Sequence, residues 1–236
     1  MNPRTLVLAT LSGAALLAAA ALPATATTAQ RVMAPGAASG REGTVSADEL
    51  LAEVTSCSRI SNGSYRKDAG GSATIPVCGK NGAVFWQADM DIDCDGQVTT
   101  ACNATTDRTF LPDTSFHQSD GKPLNAERLP YVVVPIPSTI WKYADHGIRG
   151  GGVVAVVYDG KVRYGVVGDT GPAAIIGEAS YGMAKALGID PNPSTGGVSS
   201  GVTYILFKNS KVTPIESHSA AVALGDSLAR KFLDEN

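Results

Sequence analysis

The sequence predicts a mainly β domain of the α+β kind: a barrel-like core with short peripheral helices and long loops. Three observations carry this. About six or seven short segments rich in β-branched and aromatic residues follow one another from Ile75 to Ile215, bounded by turn residues. Helix patterns are few and lie at the edges of this series. The strand–helix–strand rhythm that a parallel α/β sheet needs is missing.

Taken in order, the chain of 236 residues opens with Arg4, then an uncharged apolar stretch from Leu6 to Leu22, then Ala24-Thr25-Ala26. Basic, apolar and small residues in that order read as a secretory signal cleaved near Ala26. The stretch matches the shortest membrane-spanning helices in length, but its Ala-rich character and the site directly after it favour removal. Residues 27–45, rich in Ala, Thr, Gly, Ser and Pro, read as a disordered leader. Residues 46–236 are then one domain, long enough to bury a proper core.

Ser46 with Glu49 three residues later is a capping box for a short helix. Residues 58–75 are polar loop. Ile75–Val77 and Ala83–Gln87 are short strand candidates, the second with Val84-Phe85-Trp86 as bulky β-formers. An acidic run, Asp89-Met90-Asp91-Ile92-Asp93-Cys94-Asp95-Gly96, follows. Residues 99–130 form a long turn-rich loop, of the kind that builds cleft walls. Tyr131 to Pro137 is a buried strand closed by prolines, and Trp141 and Tyr143 follow in a loop.

Val153–Tyr158 and Val162–Val167 joined by Asp159-Gly160 are a hairpin, because both turn positions call for positive φ. Gly168-Asp169-Thr170-Gly171-Pro172 should end the second strand and leave Asp169 on a rim. Gly177-Glu178-Ala179-Ser180 opens a helix pattern that closes at Gly188, which puts Glu178 near a helix start. Residues 201–208 (GVTYILFK) are a strand, Lys211 to Ile215 a possible partner for it, and Ser219 to Asp234 an amphipathic terminal helix.

The net charge is −3, and loss of residues 1–26 removes one positive charge, Arg4. An acidic chain with no basic cluster argues against nucleic acid and anionic membranes and suits a cationic partner. Four cysteines in an exported chain imply two disulfides. The local loops favour Cys57–Cys78 and Cys94–Cys102 among the possible pairings. With no CxxC and three scattered histidines, a zinc site is not expected, and nothing calls for a cofactor.

Two patterns carry chemistry. Asp169 and Glu178 each stand beside a glycine at an element end, so they can face one cleft. The bland account is a turn and a helix dipole. In the acidic run, Asp91-x-Asp93-x-Asp95-Gly96 imitates half of an EF-hand loop, but position 12 is Cys102, where the bidentate Glu belongs. Period-2 alternation instead projects Asp89, Asp91 and Asp93 from one strand face. Such a row is costly unless a cation meets it. The expectation is therefore no bound metal, with Asp91 and Asp93 holding a cationic ligand. Trp141 and Tyr143 are either sugar-stacking rings or core aromatics.

GVVGDTGPAAIIGEAS at 165–180, MDIDCDG at 90–96 and GVTYILFK at 201–208 resemble the chitosanases of glycoside hydrolase family 75, over roughly residues 50–236. The resemblance implies a secreted endo-acting enzyme that cuts chitosan with inversion of configuration. It implies a six-stranded barrel of the double-psi type, with Asp169 and Glu178 as the catalytic pair. It also implies a role for the acidic run and for Thr170 of the Gly-Asp-Thr motif in binding substrate. We assign Glu178 as acid and Asp169 as base. Burial beside Ile175-Ile176 would raise the pKa of Glu178 and a helix N-terminus would lower it, so the sequence leaves that assignment open. The expected partner is chitosan, the expected state a monomer, the expected location extracellular. Two rivals stand beside this reading: a non-catalytic wall-binding protein on an expansin-like barrel, and a calcium-dependent structural module.

Overall fold

A computed structural model describes residues 42–236. The expected signal peptide and the leader up to residue 41 lie outside these residues. The described chain runs α1 (Ala47–Glu53), β1 (Ser58–Arg59), β2 (Cys78–Lys80), β3 (Ala83–Asp93), β4 (Tyr131–Pro135), β5 (Val153–Tyr158), β6 (Lys161–Gly171), β7 (Glu178–Ser180), α2 (Tyr181–Leu187), β8 (Val198–Phe207) and α3 (His218–Asp234). Glu42 to Val45, at the end of the stretch read as leader, make defined contacts with this body. The Glu42 carboxylate accepts from the Tyr164 amide, Thr44 donates to Asp226 on α3, and Val45 is buried.

Six strands close into a barrel in the order β3-β7-β4-β6-β5-β8 and back to β3. Pairings β3–β7 and β4–β6 are parallel and the others antiparallel. The mainly β barrel with short helices that the sequence predicts is thus present, with β1 and β2 added along the first half of β3. The β5–β6 turn is as expected: Asp159 and Gly160 have φ of 47° and 69°, which keeps the hairpin's right-handed twist. Ser46 and Glu49 form the capping box of α1.

Strand alternation sorts the side chains into two layers. One set fills the barrel interior: Trp86, Met90, Val132, Val167 and Tyr204 belong to it. Trp86 stacks on Tyr204 with ring centroids 5.4 Å apart and meets Trp141 edge-on at 6.2 Å. Each such pair contributes about 0.5–1.5 kcal/mol beyond its buried area. The opposite set, including Phe85, Tyr164 and Ile205, faces outward and is covered largely by α1 and α3.

Four expectations are corrected. Ile75–Val77 is not a strand; Ile75 makes an isolated bridge to Tyr65 and pairing starts at Cys78. Lys211 to Ile215 does not extend the sheet, since Pro214 has no N–H to give a ladder. β6 does not stop before Gly168 but continues to Gly171, where Pro172 ends it. Glu178 opens strand β7 instead of a helix; the α2 N-cap is Ser180, whose Oγ accepts from Met183 N.

Candidate functional site

The outer barrel face is bare of helices where β3, β7, β4 and β6 run side by side. There the long loop after β3 folds over to make a cleft of about 340 Å³. Its charged lining is Asp93, Asp95, Asp107, Asp169 and Glu178, with no Lys, Arg or His among the described residues that line it. The loop is tied down by the Cys94–Cys102 disulfide, by Leu111 N donating to Asp95 at 2.7 Å and by Asp107 accepting from the amide and hydroxyl of Thr109. Cys57–Cys78 is the other disulfide, so the pairing is the local one.

Asp169 reaches this cleft through an irregularity in the sheet. Val132 pairs with Val167, yet Val133 pairs with Asp169, so Gly168 is an extra residue in β6. Val167 faces the interior and Val133 faces outward. Strict alternation would turn the Asp169 carboxylate into the apolar barrel. The bulge reverses the parity and points it out. Only glycine fits there: a Cβ on Gly168 would lie 2.5 Å from Tyr131 Cγ. Asp169 Oδ1 then accepts from Ser115 N at 2.8 Å and Thr170 N at 2.7 Å, which leaves Oδ2 as its free oxygen. Thr170 Oγ1 and Ser115 Oγ are 2.6 Å apart, closing that wall.

Glu178 is placed by Ser180. The fully buried Ser180 hydroxyl accepts from Tyr131 N and donates to Leu129 O, locking β7 to the start of β4. In the parallel β3–β7 register Glu178 sits beside Asp91, on the outward face. A Cβ at Gly171 would meet Glu178 Oε2 at 2.4 Å, so the Glu178 carboxyl fills the space left by the missing side chain. Asp169 and Gly171 are two residues apart on one strand, about 6.6 Å. Asp169 and Glu178 thus both line the one cleft. The Glu178 carboxyl accepts no side-chain or backbone N–H among the described residues. Burial first, then the carboxylates Asp91, Asp169, Asp95 and Asp89, push it up from 4.5 to about 7.

The acidic run divides in two. Asp93, Asp95 and Asp169 bring carboxylate oxygens within 4.8 Å of one another. Burial and then Asp169 hold Asp93 well above the usual range, against a hydrogen bond from Asp95 N. Burial also raises Asp95 to about 6, opposed by the Leu111 amide. Asp91 instead gathers with Asp68 and Asp89. The EF-hand-like Asp91, Asp93 and Asp95 thus do not converge, because an extended strand carries them past a common centre. Trp141 is 3% exposed, and its Nε1 donates to His146. It borders a separate hollow with Ile60, Asn62 and Ser138. Tyr143 packs half-buried against the interior cluster. Neither lines the acidic cleft. Sequence reasoning missed Asp107 and Ser115, which come from a loop with no motif, and the bulge at Gly168.

Two carboxyls of contrasting environment across a sugar-sized acidic cleft are the equipment of a glycoside hydrolase. The comparisons agree. The model of the family described as fungal chitosanase of glycosyl hydrolase group 75 matches residues 90–232, and the chain belongs to that family. An endo-chitosanase of Aspergillus fumigatus is 34% identical over 142 residues, 54% of this chain and 59% of that protein. Endo-chitosanase C of Aspergillus oryzae is 32% identical over 162 residues, 62% of this chain and 40% of that protein. An endo-chitosanase B of Aspergillus oryzae is 31% identical over 161 residues, 61% of this chain and 67% of that protein. The chain thus spans 59% and 40% of the first two relatives.

Proposed function

We propose that the protein is a secreted endo-chitosanase that hydrolyses β-1,4 bonds between glucosamine units by an inverting acid/base mechanism, with Glu178 as acid and Asp169 as base. The observation that carries this is the contrast between the two carboxyls. Glu178 is desolvated and ringed by anions, with no donor to its carboxyl among the described residues; these push its pKa up to about 7, so it can give a proton to the leaving oxygen. Asp169 has Oδ1 held by two N–H groups, which fixes the orientation of its carboxylate and leaves Oδ2 to act. That oxygen takes a proton from water as the water attacks the anomeric carbon from the opposite face. Inversion calls for a carboxyl separation of roughly 6.5–9.5 Å, which leaves room for that water. Glu178 stands at a strand start, three residues before the first residue of α2, which supports the role of acid without a place in the helix itself.

The substrate's charge follows from the lining. Five carboxyls without a protein cation favour a polymer that brings its own ammonium groups. Asp93, with Asp95 and Asp107 beside it, is the proposed contact. Two disulfides suit an oxidising, extracellular setting. No described helix is long and apolar enough to cross a membrane. The test is a reducing-end assay on chitosan with Asp169→Asn and wild type. Loss of at least about 100-fold in kcat with unchanged melting is expected. Activity within tenfold of wild type, or binding by the wild type without new reducing ends, refutes the proposal and leaves the wall-binding alternative.

A further inference from the structure

We propose that Asp68, Asp89 and Asp91 form a calcium site that staples the 66–71 loop to the strand pair carrying Glu178. Asp89 and Asp91 lie two residues apart on β3 and Asp68 on a loop well before it, and each offers an oxygen within 4.8 Å of the others. Calcium takes carboxylate and water oxygens in a flexible shell at about 2.3–2.6 Å, whereas magnesium demands near-ideal octahedral geometry and gives up its waters reluctantly. A second observation comes from the buried member. Asp89 is 4% exposed, and its Oδ1, which lies against Gly177, is buried with no hydrogen-bond partner among the described residues. A buried carboxylate oxygen without a donor is costly and rare, and a bare cation satisfies it where a sugar amine is too bulky to reach.

Lys67 is the only cation recorded beside this cluster among the described residues, and it is a weak partner. Its Nζ is 4.0 Å from Asp68, with both side chains exposed, and 3.4 Å from the Ser199 carbonyl. An exposed pair at that distance contributes little. Three carboxylates against one loose ammonium leave room for a divalent charge, with water completing the shell. The position gives the ion a task. Arg66 N donates to Ala174 O, and Ile176 N donates to Arg66 O, so the loop holding Asp68 already lies on the segment leading into Gly177 and Glu178. Asp91 N donates to Gly177 O at 2.8 Å, and Asp91 is the register partner of Glu178. An ion here fixes the strand pair beside Glu178, on residues that do not line the catalytic cleft.

The test uses chelator-stripped protein and calcium alone, with no polysaccharide, so it stands apart from the proposed hydrolysis. With a dissociation constant near 1 mM, as in extracellular modules, 10 mM calcium raises the melting temperature by about 3–6 °C. Titration calorimetry should show one site, and equal magnesium should give less than half the shift. Asp89→Asn and Asp68→Asn each abolish the shift; Asp68 is on an exposed loop, so that variant keeps the fold if Asp89→Asn does not. Lys67→Ala should tighten calcium binding. A wild-type shift that survives undiminished in Asp68→Asn overturns the proposal in favour of an ion elsewhere. No shift and no calorimetric signal in the wild type overturns it outright. So does an Asp68-dependent stabilisation by glucosamine but not by calcium, which would make the occupant an ammonium group.

Discussion

Replacing Glu178 with Gln should destroy activity and at the same time make the protein more stable at alkaline pH. Burial and neighbouring carboxylates raise Glu178 from 4.5 to about 7. At about 1.4 kcal/mol per pH unit, holding the ionised form in the fold costs about 3 kcal/mol, and about half of that once solvent at the cleft mouth is allowed for. The sign follows from linkage. A group whose folded pKa is raised contributes its stability below the unfolded value, here 4.5, and that stability is lost as pH rises through about 7. Wild type therefore carries the whole cost at pH 8 and almost none at pH 4.5. Gln has the same shape and no charge, so it removes the cost. In chelator-treated protein, Glu178→Gln should melt roughly 3–10 °C above wild type at pH 8 and within about 1 °C of it at pH 4.5. Differential scanning calorimetry at the two pH values reads this directly. Equal melting at pH 8, or a less stable variant there, would refute the claim that Glu178 is a destabilised buried acid.

Three further outcomes are expected. Gly168→Ala puts a Cβ 2.5 Å from Tyr131 Cγ, so it should cost about 1–3 kcal/mol in melting and lower kcat at least tenfold as the bulge shifts; unchanged melting and rate would show that the bulge does not aim Asp169. Asp93→Asn should raise KM for chitosan more than for a fully acetylated oligomer, and salt should raise the wild-type KM over the range where the Debye length falls below about 10 Å; an equal effect on both substrates argues against ammonium pairing. Reduction of Cys57–Cys78 and Cys94–Cys102 should cost about 2–4 kcal/mol each in denaturant unfolding, and an unchanged midpoint after verified reduction would contradict that.

What the sequence made legible was local. Asp159-Gly160 specifies its own turn, and Ser46 and Glu49 cap their own helix, because the interacting groups are neighbours in the chain. The acidic run alternated as a strand should, and β3 carries it. The facing of Asp169 was not legible. It depends on one extra residue at Gly168, which is visible only once β4 is paired with β6. The state of Glu178 depended in the same way on knowing that β7 precedes α2, since a strand end and a helix start act on a carboxyl differently. Trp141 could not be told from a stacking ring by sequence, because its burial is decided by Trp86 and His146. Asp68 joined Asp89 and Asp91 only through the fold of an otherwise featureless loop. In each case the deciding contact is long-range, and sequence periodicity has no access to it.

The central claim is that water attacks across the cleft under Asp169 while Glu178 protonates the leaving sugar. Time-resolved proton NMR of a fully deacetylated chitosan oligomer during digestion tests this most directly. The account predicts that new reducing ends appear first as the α anomer, from inversion at a β linkage, and are absent with Asp169→Asn. First appearance of the β anomer, or no new reducing ends with the wild type, would contradict it.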